Sequence, residues 1–513
     1  DYIDEEEQEV STIHIDLETR SRTNLLTDGV YNYATDPSTE IICMSWAFGN
    51  GEIRSWRPEQ KPFPEPLKKY IADGVPLAAH NAAFERLMFE FIICPDFDVP
   101  VPELEQWHCT AYMARCNNLP GALFNCARAL GVKQQKDRAG RNLIAMLSVP
   151  QPDGTFNHDP TLLEEMAEYC NQDVRAERDI HAVMREPTPE EWADYFASER
   201  INDRGVRVDL PLVRAAQAYA SEEEHDIIDL VTQLSDGAIT KFRGGKLLEW
   251  VRERITPGQL ESLKVYRGGE KKYSLDKHSR HRLLDHSDLD GVVREVVEGA
   301  DTASKSSIGK FKALERRADP EDHRMRGAFI ANGASASGRY SSWGAQVHNF
   351  PRFVTEPTLE ARADLLDNVY PVDIVDYFGV PIMTFLSGML RASLIPAEGN
   401  EFHVADWSAI EGRVNPWLTD SPQGERKLLQ YRNGIDTYKV AAESIYNLAY
   451  SEIGDDSKER QVGKVAELAL GYQGGSGAFL AMARGYGVEV GKTDAERIKD
   501  KWRKANPWAV TAL

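Results

Sequence analysis

In Thr12-Ile-His-Ile-Asp-Leu-Glu18 the even positions carry Thr, His, Asp and Glu, and the odd positions carry Ile, Ile and Leu. Side chains alternate between the two faces of a strand, so this segment predicts a strand that sets Asp16 and Glu18 side by side over an apolar face turned to the core. Two ionised carboxylates that close repel each other unless a cation lies between them, and oxygen donors of this kind suit Mg²⁺ or Mn²⁺. A second strand, Pro76 to His80, leads through Asn81 into a helix over Ala82 to Glu90 that carries Glu85. Farther along, Tyr169-Cys-Asn-Gln-Asp173 places a phenol and a carboxylate four residues apart on one helical face. Singly, each piece also fits a solvated helix, an exposed strand edge or a core tyrosine.

In this order and on these elements, the three pieces resemble the exonuclease motifs of the DEDD nuclease family, tyrosine-bearing subtype, whose fold is RNase H-like. The resemblance covers about residues 11 to 185. It implies that Asp16, Glu18, Glu85 and Asp173 hold two Mg²⁺ or Mn²⁺ ions about 4 Å apart, one activating the attacking water and one stabilising the leaving 3′ oxygen. Tyr169 would orient the water. Position 85 is Glu here, where cellular members more often carry Asp.

A second set of motifs lies downstream. Ser337-Gly-Arg-Tyr-Ser-Ser342, followed by Gln346-Val-His-Asn-Phe-Pro351, resembles the palm-entry motif of family A DNA polymerases, those related to bacterial DNA polymerase I. The resemblance implies that Arg339 reaches the primer-terminal minor groove and that Gln346, His348 and Asn349 also contact DNA. His403-Val-Ala-Asp-Trp-Ser-Ala-Ile-Glu-Gly-Arg413 resembles motif A of the same family, a strand over Glu401 to Asp406 followed by a helix start. By that resemblance Asp406 binds a metal on the triphosphate, Glu411 crowds the sugar 2′ position and excludes ribonucleotides, and Arg413 faces DNA. Gly412 stands where the family usually has Leu, which predicts looser local packing.

Arg460-Gln-Val-Gly-Lys464, continuing through Leu468 to Tyr472, resembles motif B on the fingers helix, implying a nucleotide site. Two cations at i and i+4 repel by roughly a few tenths of a kcal/mol, a cost that an anion lying across them reverses. A triphosphate is such an anion. Leu468 replaces the family's usual Phe or Tyr, a feature of phage-type members. The family's third palm motif, a His-Asp-Glu-like turn that supplies the second metal carboxylate, is not found in the 41 residues after Tyr472. His225-Asp226 has a similar look but lies upstream of both motifs A and B.

The 513 residues predict three or four folded units. With 42% hydrophobic and 27% charged residues, the chain is neither disordered nor fibrous nor a disulfide scaffold. All six cysteines lie in the first third with no C-x-x-C pair, which predicts reduced, buried thiols. A net charge of -21 excludes a protein that coats nucleic acid by bulk attraction. Yet Lys241 to Arg282 holds twelve Lys or Arg against five Asp or Glu, and Lys305 to Arg317 five against one, so one face is expected to meet phosphates. The acidic segment Asp1 to Glu9 is unlike a signal or transit peptide and no apolar run spans a bilayer, which predicts a cytoplasmic chain without membrane contact.

The organisation expected is an α/β multidomain protein, an RNase H-like exonuclease domain followed by a right-hand polymerase. The exonuclease domain takes residues 1–187, ending at the helix-breaking Arg185-Glu-Pro-Thr-Pro. A thumb that is mostly helical and charged from Trp192 to about Arg317, with Gly244-Gly245 and Gly268-Gly269 turning its tip, takes 188–325, the first part of the palm 326–414, and incomplete fingers 415–513. The function expected is that of a monomeric phage-type family A DNA polymerase with 3′-5′ proofreading, acting on primer-template, single-stranded 3′ ends and dNTPs. An exonuclease with a decayed polymerase half and a non-enzymatic DNA-holding scaffold are the rivals. Intact Asp406, Glu411, Arg460 and Lys464 argue against the first, and intact Asp16, Glu18 and Asp173 against the second.

Overall fold

The computed structural model describes residues 12–133, 140–242, 245–267, 269–304, 307–334 and 337–511. Of the features named above, Asp1 to Glu9, Arg243, Gly244, Gly268 and Lys305 lie outside the described residues. The chain divides into two compact units, Asp1–Glu401 and Phe402–Leu513.

The first unit begins with a five-stranded sheet of β1 (Ile13–Arg20), β2 (Glu40–Phe48), β3 (Arg54–Trp56), β4 (Leu77–Ala79) and β5 (Trp107–Cys109), in the order β3-β2-β1-β4-β5. β1 is central, antiparallel to β2 and parallel to β4. The expected alternation holds: Ile13, Ile15 and Leu17 enter a core shared with Leu67, Leu77, Phe89 and Trp107. Each such fully buried side chain contributes roughly 1.5–3 kcal/mol. The helix Pro160–His181 packs against β1 and β2, where Cys43, Met166, Tyr169 and Cys170 form a smaller core. Its start is set by Asp159, whose carboxylate accepts from the Thr161 and Leu162 amides, and by Pro160 in the first turn. Covered on both faces, β2 is buried without interruption from Ile41 to Ala47.

The stretch from Trp192 to Arg317 is mostly helical, as expected, and short strands interrupt it at two places. β6 (Val206–Val208) enters a sheet, and β7 (Lys264–Arg267) pairs antiparallel with β8 (Glu270–Tyr273). Val265, Tyr266 and Tyr273 favour extended backbone, and Gly269 supplies the left-handed turn at φ +82°. Gly269 therefore turns a hairpin where a turn at a helical tip was expected. The basic stretch is also partly tied down, since Arg280 donates to Asp301 at 2.8 Å and Arg282 to the Ser262 carbonyl at 2.9 Å. Farther on, β9 (Arg324–Met325), β10 (Phe329–Ala334), β11 (Arg339–Ser342) and β12 (Leu394–Ile395) build two small sheets, β12-β6-β9 and β10-β11.

The second unit is helical, with a core of Val465, Phe479, Ile498, Trp502 and Trp508. The strand expected over Glu401 to Asp406 is not formed: this segment pairs with no strand among the described residues, and Phe402, Val404 and Trp407 are exposed. Alternating residues make a strand only where a partner supplies the backbone hydrogen bonds. No single helix among the described residues is long and apolar enough to cross a membrane.

Candidate nuclease and nucleotide sites

Where β1 faces the Pro160–His181 helix, carboxylate oxygens of Asp16, Glu18 and Asp173 lie within 4.8 Å of one another. The strand supplies two of them from its outward positions and the helix one. Asp173 is buried, while Asp16 and Glu18 are half-buried. The helix is held at this height by contacts from three strands: Cys170 Sγ donates to the Asp16 carbonyl at 3.3 Å, and Ser45 of β2 and Ser55 of β3 each donate to Asn171 at 2.8 Å. Tyr169, one turn before Asp173, is buried against Gly140. A Cβ on Gly140 would stand 2.1 Å from the Tyr169 ring, so only glycine leaves the ring its place. Sequence reasoning passed over Gly140, since a lone glycine gives no hint of the ring opposite.

Glu85 is buried in the first turn of the helix Ala83–Met88 but is not one of the group of three. The fourth expected ligand is thus inside the fold without having joined the others. An all-oxygen donor set fits a hard cation of the Mg²⁺ or Mn²⁺ class, and a cation relieves the repulsion among three close carboxylates.

In the same unit, the palm-entry residues sit around β11. Arg339 is exposed on that strand, Gln346 adopts the left-handed backbone at φ +52°, and His348 packs its ring edge-on to Phe329 at 5.8 Å. Lys310 Nζ donates to the carbonyls of Gln346 at 3.4 Å and Asn349 at 2.7 Å. One lysine therefore ties the turn bearing Gln346, His348 and Asn349 to the preceding helix.

In the second unit, one pocket gathers Glu411, Gly412, Tyr431, Tyr438, Leu468 and Tyr472. The helices Ile410–Leu418 and Lys458–Leu470 bring the two motifs together. The expectation of loose packing at Gly412 is overturned, because Tyr431 fills the space that a leucine would take: a Cβ on Gly412 would lie 2.2 Å from the Tyr431 oxygen. Arg413 stacks on the same ring at 4.7 Å and donates to the Ser408 carbonyl at 2.8 Å. Burial pushes the Tyr431 phenol up to about 12.

Arg460 and Lys464 are separately occupied. Arg460 donates to Asp436 at 2.7 Å, and Lys464 sits over the Tyr486 ring at 5.0 Å, so an internal carboxylate and an aromatic face offset the repulsion that an external anion was expected to offset. Behind Leu468, Lys427 and Glu467 form a buried ion pair at 2.8 Å, with Trp502 donating to the same carboxylate at 3.0 Å. Tyr431, Tyr438 and this pair were missed in sequence, where they are spaced like ordinary helix residues. Asp406 is exposed and belongs to neither of the ligand groups of three found among the described residues.

No family model matches the chain. The DNA polymerase of Bacillus phage SP02 is 34% identical to it over 516 aligned positions, covering 97% of this chain and 74% of the phage protein. The polymerase domain of Pol1 from M. smegmatis, solved with DNA primer-template and dNTP, superposes with a TM-score of 0.54 at 15% identity, over 97% of this chain and 74% of that one. The fold is therefore a mixed α/β one of the kind seen in a polymerase domain, and by its similarity to the phage enzyme the chain belongs to the family of the Bacillus phage SP02 DNA polymerase.

Proposed function

We propose that this DNA polymerase couples template-directed synthesis to a 3′-5′ exonuclease, housed in an RNase H-like domain over residues 1–187. The thumb would take 188–325, the palm begin at 326, and the fingers lie within 415–513. The observation that carries the nuclease reading is the convergence of Asp16, Glu18 and Asp173 from a central strand and a capped helix, with Tyr169 one turn away. These carboxylates would hold Mg²⁺ or Mn²⁺, which when bound activates water and stabilises a leaving 3′ oxygen. The chain's own residues fix the orientation: the Gly140 cradle holds the Tyr169 ring one turn before Asp173, and Asn171 and Cys170 pin the helix to β1, β2 and β3.

For synthesis, Glu411, Leu468 and Tyr472 meeting where the two motifs adjoin supports a shared nucleotide-binding role, with Glu411 excluding a 2′ hydroxyl. Arg460 would exchange Asp436 for a triphosphate, and Lys464 lies one turn along the same helix. Arg339, Gln346, His348, Asn349 and Arg413 are assigned to the primer-template, and Asp406 to a metal on the triphosphate. The M. smegmatis structure was solved with primer-template and dNTP, which supports these ligand classes.

The test is digestion of a 3′-labelled single strand by the Asp16→Ala/Glu18→Ala protein. Loss of metal-dependent digestion by at least 100-fold, with the circular dichroism spectrum unchanged, is expected. Digestion at the parent rate would refute the nuclease assignment.

A further inference from the structure

The seam that holds the three carboxylates continues into a second ligating cluster. His14 precedes Asp16 by two residues on the same face of β1, and Glu177 and His181 follow Asp173 by one and two turns on the same helix face. Ligand atoms of His14, Glu177 and His181 lie within 4.8 Å of one another. His14 Nδ1 is 2.6 Å from Glu177 Oε2, and the His14 and His181 rings meet edge to face at 5.3 Å. Glu177 is 2% exposed and His14 6%.

Two atoms of this cluster are buried without a hydrogen-bond partner, Glu177 Oε1 and His181 Nδ1. Buried polar atoms are satisfied in the great majority of cases, so an orphaned acceptor and an orphaned ring nitrogen in one cluster call for a ligand. Glu186 Oε2 stands 3.7 Å from His181 Nε2. A histidine with one ring nitrogen facing a carboxylate and the other buried and unused has the arrangement of a metal-bound imidazole with its supporting acid.

We propose that His14, Glu177 and His181 form a site for a borderline divalent cation of the Zn²⁺ class, distinct from the all-carboxylate group beside it. Two imidazoles and one carboxylate match Zn²⁺ or Co²⁺, whereas Mg²⁺ selects oxygen donors. Tetrahedral Zn²⁺ with bonds of about 2.0 Å sets its ligand atoms about 3.3 Å apart, so the His14–Glu177 contact opens by about 0.7 Å or Oε1 takes the ion. The side chain of His181, 17% exposed, is the least covered of the three and gives the route of entry. The ion would clamp β1 to the Pro160–His181 helix one turn from Asp173. This inference does not depend on the nuclease reading.

The experiment titrates Co²⁺ into the chelator-stripped 513-residue protein in excess Mg²⁺, which occupies the carboxylate group. One equivalent should give the intense visible band of low-coordinate, nitrogen-ligated Co²⁺, displaced stoichiometrically by Zn²⁺. His181→Ala should weaken Co²⁺ affinity at least tenfold, and Asp16→Ala/Glu18→Ala should leave it within twofold. His14→Ala serves as a second variant, each checked by circular dichroism. Absence of the band, or a band that survives His181→Ala and vanishes in Asp16→Ala/Glu18→Ala, would overturn the proposal. Failure of the nuclease reading shows separately, as undiminished digestion by that double mutant.

Discussion

Replacing Gly412 with leucine, the residue usual at this position in the family, should destabilise the second unit. A void at Gly412 would predict the reverse, since filling it would add stability. A Cβ at position 412 would meet the Tyr431 oxygen at 2.2 Å, and ordinary contact begins at 3.4 Å, so the phenol would have to retreat by about 1.2 Å. It has little freedom to do so: Thr437 Oγ1 donates to it at 3.3 Å and Arg413 covers its ring at 4.7 Å. Overpacking of this kind costs about 1–3 kcal/mol, and leucine belongs at the upper end. Tyr431→Ala, which removes a half-buried aromatic ring, should cost about 2 kcal/mol by itself, below the range for a fully buried one. In the double mutant the leucine enters the vacated volume, so the combined loss should fall short of the sum by about 2 kcal/mol. The assay is equilibrium urea unfolding of the four proteins followed by circular dichroism. Additivity within about 0.5 kcal/mol, or stabilisation by Gly412→Leu alone, would refute the reasoning.

Lys427→Met should destabilise by about 3–5 kcal/mol, because it leaves Glu467 buried without its partner, and adding Glu467→Leu should recover most of the loss; thermal unfolding of the two variants decides this. Acid should weaken the tie between Asp436 and Arg460. Burial alone would raise the Asp436 carboxyl, but Arg460 and the amides of Lys439 and Tyr438 hold it below the ordinary 3.8. A carboxyl lowered in the folded state contributes its full stability above the unfolded value and loses it as the pH falls through the folded one. The stability gap between the parent and Asp436→Asn should therefore be constant above pH 3.8 and close below it, and a gap that does not change with pH would remove the ion pair as its cause.

Much of the nuclease-like site is legible in the order of residues alone. Strand alternation puts Asp16 and Glu18 on one face and Ile13, Ile15 and Leu17 on the other, and the four-residue step puts Asp173 one turn from Tyr169. These are local regularities of backbone geometry, so a single sequence carries them. The hairpin at Lys264 to Tyr273 is not legible in the same way, because a glycine pair between charged segments suits a helical turn as well as a hairpin, and only cross-strand pairing separates the two. The strand expected at Glu401 to Asp406 fails for the converse reason, as its pattern is right but no described strand pairs with it.

Residue type and spacing by themselves determined which side chains have the chemistry to ligate a cation or meet a nucleotide and, Asp406 apart, which element carries each. Tertiary structure alone decided which of them meet. It brought Asp16, Glu18 and Asp173 together and left Glu85 outside their group, gave Arg460 an internal carboxylate, and set Tyr431 into the space above Gly412. It also aligned His14 with Glu177 and His181 across 163 residues of sequence between the hydrogen-bonded pair. Periodicity acts over one turn or one pleat, whereas these meetings depend on how the helices pack over the sheet and over one another.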